Sequence, residues 1–245
     1  MRHWLRSYAL LLRWSLLRMR TDLPLFLVVQ TGMSVGVVVG FSFLVPIADE
    51  VTALYLTTGA MTVGLITVGM VAAPQIVAQQ KLQGIFDYQR SMPVPRLAML
   101  AADATVWIAI NLPGLIVALG IGALRFDLDF TVSPLVIPAV ILVATAAVAI
   151  GYGVAYAVKP VLVGVITNAV IIVALMFAPI NYPADRLPDW LATVHQILPF
   201  GYMAQAIRET VDVPSTGVPV LPFVVLALWC AAGLAITSRI MTRRT

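Results

Sequence analysis

The segment that decides the fold runs from Phe177 to Glu209 and reads FAPINYPADRLPDWLATVHQILPFGYMAQAIRE. It separates two long apolar stretches, and prolines divide it into short, weakly amphipathic pieces. None of these pieces can cross a membrane, because a spanning helix needs about 20 consecutive apolar residues. We therefore expect this segment to lie at one surface of a membrane, between the last two spans.

The composition of the whole chain also indicates a membrane protein. Of its 245 residues, 61% are hydrophobic and 11% are charged, whereas soluble domains have about 45–50% apolar and about 25% charged residues. The sequence predicts an all-α polytopic fold, since the alternating pattern of a β-barrel is absent. We treat residues 1–245 as a single domain with six transmembrane helices, at about 23–46, 51–78, 98–124, 134–157, 161–180 and 219–240.

The N-terminal residues 1–22 are predicted to form a helix that lies on the membrane. At about 100° per residue, four arginines fall within an arc of roughly 40°, and apolar residues cover much of the remaining surface. These arginines are Arg2, Arg6, Arg13 and Arg20. Arg18 lies off this stripe. The alternative is a plain cytoplasmic tail; a cleaved signal peptide is not expected, because arginines interrupt the apolar run and no cleavage site follows.

The basic residues predict the orientation of the six spans. With both termini in the cytoplasm, only Arg125, Arg186 and Arg208 of the 15 lysines and arginines lie outside. The other twelve follow the positive-inside rule and predict a multi-pass protein of the plasma (inner) membrane. They are Arg2, Arg6, Arg13, Arg18, Arg20, Lys81, Arg90, Arg96, Lys159, Arg239, Arg243 and Arg244.

Signatures of enzyme chemistry are missing from the sequence. A phosphate-binding loop needs a glycine immediately before its lysine, but Gln80 precedes Lys81 and Val158 precedes Lys159. The two histidines and the single Cys230 exclude a multi-histidine zinc site and an intrachain disulfide. We expect no catalytic residue, metal or cofactor on this chain, and no nucleic-acid partner.

The cytoplasmic loop at residues 79–97 is the second informative segment and reads QQKLQGIFDYQRSMPVPR from Gln79 to Arg96. Ile85, Phe86 and Tyr88 are apolar side chains in a loop too short to bury them. Docking into a groove on a soluble partner would bury them; the alternative is that they lie against the membrane interface.

Together the two segments resemble type-2 ATP-binding-cassette exporter permeases, and the resemblance covers nearly the whole chain. In the second cytoplasmic loop, Gly84, Asp87, Pro93 and Arg96 occupy the positions of the family's coupling pattern. In the outer segment, Leu187-Pro188-Asp189-Trp190-Leu191, Leu198-Pro199 and Arg208 complete the match. The chain departs from the family at Gln79 and Gln80, where relatives usually have glutamates.

The resemblance implies a complex of two permease chains, identical or paralogous, with two separate ATPase chains that bind ATP and Mg. It implies that a coupling helix in the loop contacts the ATPase, and that residues 181–218 form an external re-entrant segment; an ordinary external loop is the alternative. The expected coupling residues are Gln83, Gly84, Ile85, Phe86, Asp87, Tyr88, Pro93 and Arg96.

The substrate pathway is implied to form where the two permease chains meet, from the first, second and fifth spans. The candidate lining residues are Gln30, Asn168 and Phe177. The compact length and short loops are similar to those of daunorubicin-type drug exporters, which implies a drug-like or natural-product amphiphile as the substrate. A lipid or glycan remains the alternative within the family.

Two further features of the spans have more than one reading. Gly32, Gly36 and Gly40 share one face of the first span, as at close helix contacts. They serve either a dimer or gating interface or intrachain packing, and intrachain packing is the expected role. Asp103 lies within the third span. We expect it to pair with a base, whereas in a rival class, an ion-coupled secondary transporter, it would be the proton site.

Overall fold

The chain forms a bundle of helices, and the computed structural model describes residues 2–21, 23–44, 50–85 and 94–242. No strand occurs in these ranges. A π-helical turn at Val68–Ala72 joins α3 to α4, and a short 3-10 turn lies at Ala184–Arg186. The helices are α1 (Arg2–Met19), α2 (Leu23–Leu44), α3 (Glu50–Thr67), α4 (Ala73–Leu82), α5 (Arg96–Phe126), α6 (Val136–Ala157), α7 (Pro160–Phe177), α8 (Asp189–His195), α9 (Pro199–Val211) and α10 (Leu221–Thr242).

The predicted all-α polytopic fold is confirmed. Five stretches in the described ranges are long and apolar enough to cross a membrane: Leu23–Phe43, Glu50–Leu82, Ala98–Phe126, Val136–Ala157 and Pro160–Phe177. The predicted sixth span is present as α10, whose apolar part, Leu221–Thr237, is shorter.

The α3–α4 helix lies at the centre of the bundle. In its most apolar window 72% of the residues are buried, against 17% in α2 and 22% in α7. α2, α5, α6, α7 and α9 all pack against α3 or its π-helical continuation. The outer faces of α2 and α7 are therefore left for lipid or for another protein.

The π-helical turn follows from Pro74, the second residue of α4. Proline has no N–H, and its ring collides with the carbonyl four residues earlier, so the preceding turn must widen. The widened turn carries Gly69, and α6 approaches it closely through Gly151, where an added Cβ would overlap the Gly69 carbonyl oxygen. Pro138 does not distort α6, because it lies in the first turn of that helix. A backbone N–H at this position would have no helical partner, so its absence from proline breaks no hydrogen bond.

The N-terminal helix α1 packs along α5. Its buried edge consists of residues four apart, Ser7, Leu11, Ser15 and Met19, whereas Arg6, Arg13 and Arg20 are exposed. Leu5, Leu10 and Leu17 are also more than half exposed. Exposed leucines beside exposed arginines suit a helix at a lipid surface, and its position on the membrane stays a prediction.

Residues 181–218, predicted to lie outside and here called the outer segment, contain the 3-10 turn, α8 and α9, followed by an irregular stretch that leads to α10. The end of α9 is held to the α5–α6 loop, since Ser133 N donates to the Thr210 carbonyl at 2.8 Å and Val213 N donates to Thr131 Oγ1 at 2.9 Å. Trp229 of α10 donates its indole N–H to the Ile197 carbonyl at 3.1 Å. The short helices are thus seated on the bundle by hydrogen bonds as well as by apolar contacts, and their re-entrant placement stays a prediction.

The contact between α6 and the π-helical turn gives a test of this packing. We expect Gly151→Ala to lower the free energy of unfolding by about 1–3 kcal/mol, because the added methyl group would collide with backbone atoms of the turn. Gly153→Ala is the matched control, since nothing lies within 4 Å of its Cβ position and alanine favours a helix by up to ~1 kcal/mol. Unfolding in detergent measures both; equal stability of the two variants would contradict the packing described.

Candidate functional site

The loop predicted to contact an ATPase, residues 79–97 and here called the coupling loop, begins and ends with residues whose contacts the structure describes. Lys81 of α4 donates its ammonium to the carbonyl oxygens of Ala155 and Tyr156 at the end of α6, at 2.6 and 3.4 Å, and lies 5.2 Å from the Tyr156 ring centroid. Gly84 has a φ of +74°, and its N–H donates to the Lys81 carbonyl. A left-handed residue at this position ends a helix, and glycine adopts it without strain.

Of the predicted coupling residues, Gln83 and Gly84 are exposed and Ile85 is partly buried. Phe86, Asp87, Tyr88 and Pro93 lie outside the described residues. The chain is described again from Val94, and Arg96 begins α5 directly after Pro95, whose extended backbone precedes the helix. The described residues on the two sides of the loop, 81–85 and 94–96, therefore lie at the end of the bundle that also carries α1.

A polar cluster joins α1 to α5 at the same end of the bundle. Ser15 Oγ donates to Asp103 Oδ1 at 2.9 Å, and the guanidinium of Arg18 lies 4.0 Å from the same oxygen. Arg18 also lies over the Trp14 ring, 4.6 Å from its centroid. The prediction that Asp103 pairs with a base is confirmed, and the base comes from α1.

The cluster extends to α4 and α6. Gln80 Oε1 accepts hydrogen bonds from both terminal nitrogens of Arg18, at 2.9 and 3.1 Å, in the amide orientation that satisfies both residues. Tyr152 of α6 interacts with Asp103, and its hydroxyl accepts a hydrogen bond from the Trp107 indole at 3.2 Å. The cluster thus connects α1, α5 and α6 to α4, the helix that leads into the coupling loop.

No sequence pattern assigns Ser15, Arg18 or Gln80 to a site. One signal in the sequence indicated a separate role for Arg18. This residue lies off the stripe formed by the other arginines of the N-terminal helix, so its side chain points in a different direction. Its partners lie 62 and 85 residues away along the chain, at Gln80 and Asp103, and no local pattern brings them together. The glutamine at position 80, where relatives usually have glutamate, still serves as the acceptor for this arginine.

Gln30, a candidate pathway residue, lies inside the bundle. It is 4% exposed, and its amide donates to Asn111 Oδ1 at 3.1 Å. Asn111 in turn donates to the Trp107 carbonyl at 2.8 Å. Gly64 and Gly114 make room for the glutamine, because a Cβ on either would meet its side chain. These contacts favour a packing role, and a pathway role for Gln30 stays a prediction.

Asn168 and Phe177 lie on the outer face of α7. Asn168 is exposed, and its amide nitrogen donates to the Gly164 carbonyl of the same helix at 2.7 Å. Phe177 is 48% exposed at the end of this helix. The rest of the face is apolar, with Val161, Val165, Ile172, Val173 and Met176 all more than half exposed. Asn168 is thus a polar group near the middle of an open apolar surface.

The three glycines of α2 also face outward. Nothing among the described residues lies within 4 Å of a Cβ position at Gly32, Gly36 or Gly40. They line an open apolar groove of about 760 Å³ on the surface of the chain. Intrachain packing, the expected role of these glycines, is therefore not what the structure shows, because α2 packs through its other face, which carries Gln30, Ser34 and Val38.

Arg208 fixes the outer segment to the central helix. Its guanidinium carbon lies 3.5 Å from the centroid of the Tyr55 ring, Nε donates to Thr58 Oγ1 at 3.2 Å, and a terminal nitrogen donates to the Ile180 carbonyl at 2.7 Å. Burial lowers the pKa of Arg208 to about 10, so the side chain stays charged at neutral pH. A cation–π contact with two hydrogen bonds ties α9 to α3 and to the stretch that follows α7.

We expect Arg18→Gln to loosen the docking of α1 on α5, because Asp103 would lose its only ion pair among the described residues. The loss of unfolding free energy should be about 1–3 kcal/mol, below the ~3–5 kcal/mol for a fully buried pair, because 22% and 18% of the two side chains remain exposed. Amide hydrogen exchange in α1 should increase in parallel.

Arg13→Gln is the matched control, because Arg13 is an exposed arginine of the same helix. It should change stability by no more than about 0.5 kcal/mol and leave the exchange of α1 as it was. Equal effects of the two substitutions would show that the cluster does not hold α1.

Comparison with known proteins adds one finding to this geometry. No curated protein matches the chain. The family model described as ABC-2 type transporter matches residues 6–211, a range that includes α1, the first five spans, the coupling loop and α8–α9. The match covers most of the chain, as the resemblance of the coupling loop and the outer segment implied, and the chain belongs to the ABC-2 type transporter family.

Proposed function

We propose that the chain is the permease subunit of an exporter driven by ATP, and that separate ATPase chains bind ATP and Mg. The family match over residues 6–211 is the observation that carries this proposal. Neither lysine of the chain lies in a phosphate-binding loop, so the chain acts as a transport subunit whose energy comes from its partners.

The coupling loop is the proposed contact with the ATPase. Lys81 and Gly84 hold its beginning, and Pro95 and Arg96 mark its end, so a push on the loop would act directly on α4 and α5. The Arg18–Asp103 cluster would spread that force to α1 and α6. This arrangement supports residues 83–96 as the segment that transmits the motion of the ATPase pair.

The faces of α2 and α7 are the proposed contact with a second permease chain. These two helices are the least buried of the five long apolar stretches, and both flank the most buried one, α3. The groove at Gly32, Gly36 and Gly40 would allow close approach of a partner helix. Asn168 supports the same face, because a polar amide is rarely left facing lipid alone.

The proposed substrate is an amphiphile of the drug or natural-product type, and an exported lipid or glycan is the alternative. The α7 face offers apolar side chains, Asn168 and, at one end, Phe177, and ligand sites commonly combine apolar surface with a few polar groups. We place the chain in the plasma (inner) membrane with both termini in the cytoplasm, from the distribution of its basic residues.

An ion-coupled secondary transporter is disfavoured by the surroundings of Asp103. Ser15, Arg18 and Tyr152 all engage its carboxylate. A transport proton site must bind and release its proton during each cycle, whereas this carboxylate holds two helices together.

We expect Phe86→Asp to abolish substrate-stimulated ATP hydrolysis by the complex of this chain with its ATPase, because a charged side chain would not enter an apolar groove. Membrane insertion and the stability of the permease should be unchanged. Ala157→Asp is the control, as it adds a charge at the exposed last residue of α6, at the same end of the bundle. Normal hydrolysis with Phe86→Asp would remove this loop from the mechanism.

A second experiment separates the pathway residues from packing residues. We expect Asn168→Leu to change the relative transport of several unrelated amphiphiles, because the exposed amide meets the solute. Gln30→Leu should lower stability by about 1–3 kcal/mol, since it leaves the buried Asn111 Oδ1 without its donor, and should reduce transport of every compound alike. Transport assays at matched expression compare the two; a uniform loss with Asn168→Leu would exclude it from the pathway.

A further inference from the structure

A crevice between α5 and α10 belongs to none of the sites described above. It has a volume of about 340 Å³, and its lining comes from α1, α5, α6 and α10. α6 packs much more closely against α10 than against α5. Ala101 and Ala104 form most of the α5 side of the crevice, and their side chains are too small to fill the space that this looser packing leaves.

The hydroxyl groups in the lining are engaged elsewhere or turned away from the open space. Thr145 Oγ1 donates to a carbonyl one turn earlier in α6, at 2.7 Å. The Tyr152 hydroxyl accepts from the Trp107 indole at 3.2 Å and interacts with Asp103. Thr237 is fully buried, at 0% exposure. A water molecule in a cavity needs about two to four polar partners, so the crevice suits hydrocarbon better than water.

The shape of the crevice follows the two helices that form most of it. The lining runs from Thr145 to Tyr152 along α6 and from Cys230 to Thr237 along α10. Seven residues of helix rise about 10 Å, and one leaflet is about 15 Å thick, half of a hydrocarbon core of about 30 Å. The crevice therefore fits within one leaflet. An apolar cavity of about 150 Å³ holds benzene, so this crevice has room for a segment of an acyl chain.

The crevice is continuous with the apolar surface of the bundle. Cys230 and Leu234 of its lining are partly exposed, and Leu228 and Ile236 of the same helix are 66% and 51% exposed. Trp4, at the α1 side of the crevice, is 37% exposed. None of the described residues in the lining belongs to α2 or α7, the helices proposed to contact a second permease chain. Membrane lipid is therefore the neighbour of this surface.

We propose that this crevice binds one acyl chain of a membrane phospholipid. Atoms that line an empty gap lose their dispersion contacts, and a hydrocarbon chain restores those contacts between α5 and the α6–α10 pair. The chain lies against Tyr152, which also reaches Asp103, so the bound lipid supports the polar cluster that joins α1 to α5. The inference depends on the membrane-spanning fold and not on the proposed substrate or ATPase.

The test uses the full chain in nanodiscs of phosphatidylcholine that include a small fraction of phosphatidylcholine with a diazirine in one acyl chain. Illumination converts the diazirine to a carbene, which inserts into the bonds it touches, and mass spectrometry locates the modified residues. Val148 and Tyr152 line the crevice and are 5% and 3% exposed, so only a chain inside the crevice reaches them. We expect labelling at both, as well as at Leu228, which any surrounding lipid contacts.

Two matched variants of α5 separate the crevice from the rest of the lipid-facing surface. Ala104→Phe fills the crevice and should lose the labelling at Val148 and Tyr152 while keeping that at Leu228. Ala109→Phe makes the same change at an exposed position of the same helix and should label as the unmodified chain does. Labelling confined to Leu228 in the unmodified chain, or undiminished labelling at Val148 and Tyr152 in Ala104→Phe, would overturn the proposal.

Leu234→Trp keeps the test valid if Ala104→Phe does not fold, as judged by gel filtration and helix content. It fills the crevice from α10, and the same loss of labelling at Val148 and Tyr152 is expected. If those two residues are labelled as in the unmodified chain, the acyl chain lies elsewhere and the proposal fails.

A single-chain probe, dodecylamine with a diazirine in its chain, distinguishes a lipid from the tail of an amphiphilic solute. It is added to nanodiscs that contain no photoreactive phospholipid. Labelling of Val148 and Tyr152 by the photoreactive phospholipid supports the proposal whether or not the amine also labels them. Labelling of these residues by the amine alone would show that the crevice takes a solute and would overturn the proposal.

Discussion

The structure depends on the fact that hydrocarbon offers no hydrogen bonds, so most polar atoms inside the bundle find partners within the chain. Thr67 Oγ1 and Thr237 Oγ1 are exceptions among the described residues. The threonines of α3 show the simplest solution, since Thr57 and Thr62 donate to carbonyls one turn earlier, at 2.9 and 2.8 Å. Larger polar groups need a second helix, as Gln30 and Asn111 do across α2 and α5. Each such pair fixes the rotation of two helices about their axes, which apolar packing alone leaves less strictly defined.

Charged groups follow the same rule and are placed at the two ends of the bundle. At one end Arg18 and Asp103 pair across α1 and α5, and at the other Arg208 lies on Tyr55 and binds a carbonyl. The central part of α3 carries no charge at all. This separation places one polar cluster beside the coupling loop and the other in the outer segment.

Close packing of small residues around α3 explains which faces remain open. Gly69 and Gly151 bring α6 against the π-helical turn, and Gly122 admits Thr57 of α3. The Cβ positions of Gly32, Gly36 and Gly40 in α2, in contrast, have no described residue within 4 Å. Since glycine in a helix carries a cost of about 1 kcal/mol relative to alanine, a stripe of three with no described neighbour supports the proposed contact with a second chain.

The sequence by itself determined the class of this protein through its hydropathy, basic residues and prolines. These signals predicted the number and approximate limits of the apolar helices, the helical N-terminus, and the short helices before α10. These signals are local, because each depends on residues within one or two turns. Only the tertiary structure decided that Arg18 meets Asp103, that Gln30 lies inward while Asn168 lies outward, and that Gly32, Gly36 and Gly40 face away from their own chain. On a helix that is apolar all round, the sequence holds no periodic signal for which face is buried, and partners 60–90 residues apart meet only when the whole bundle has assembled.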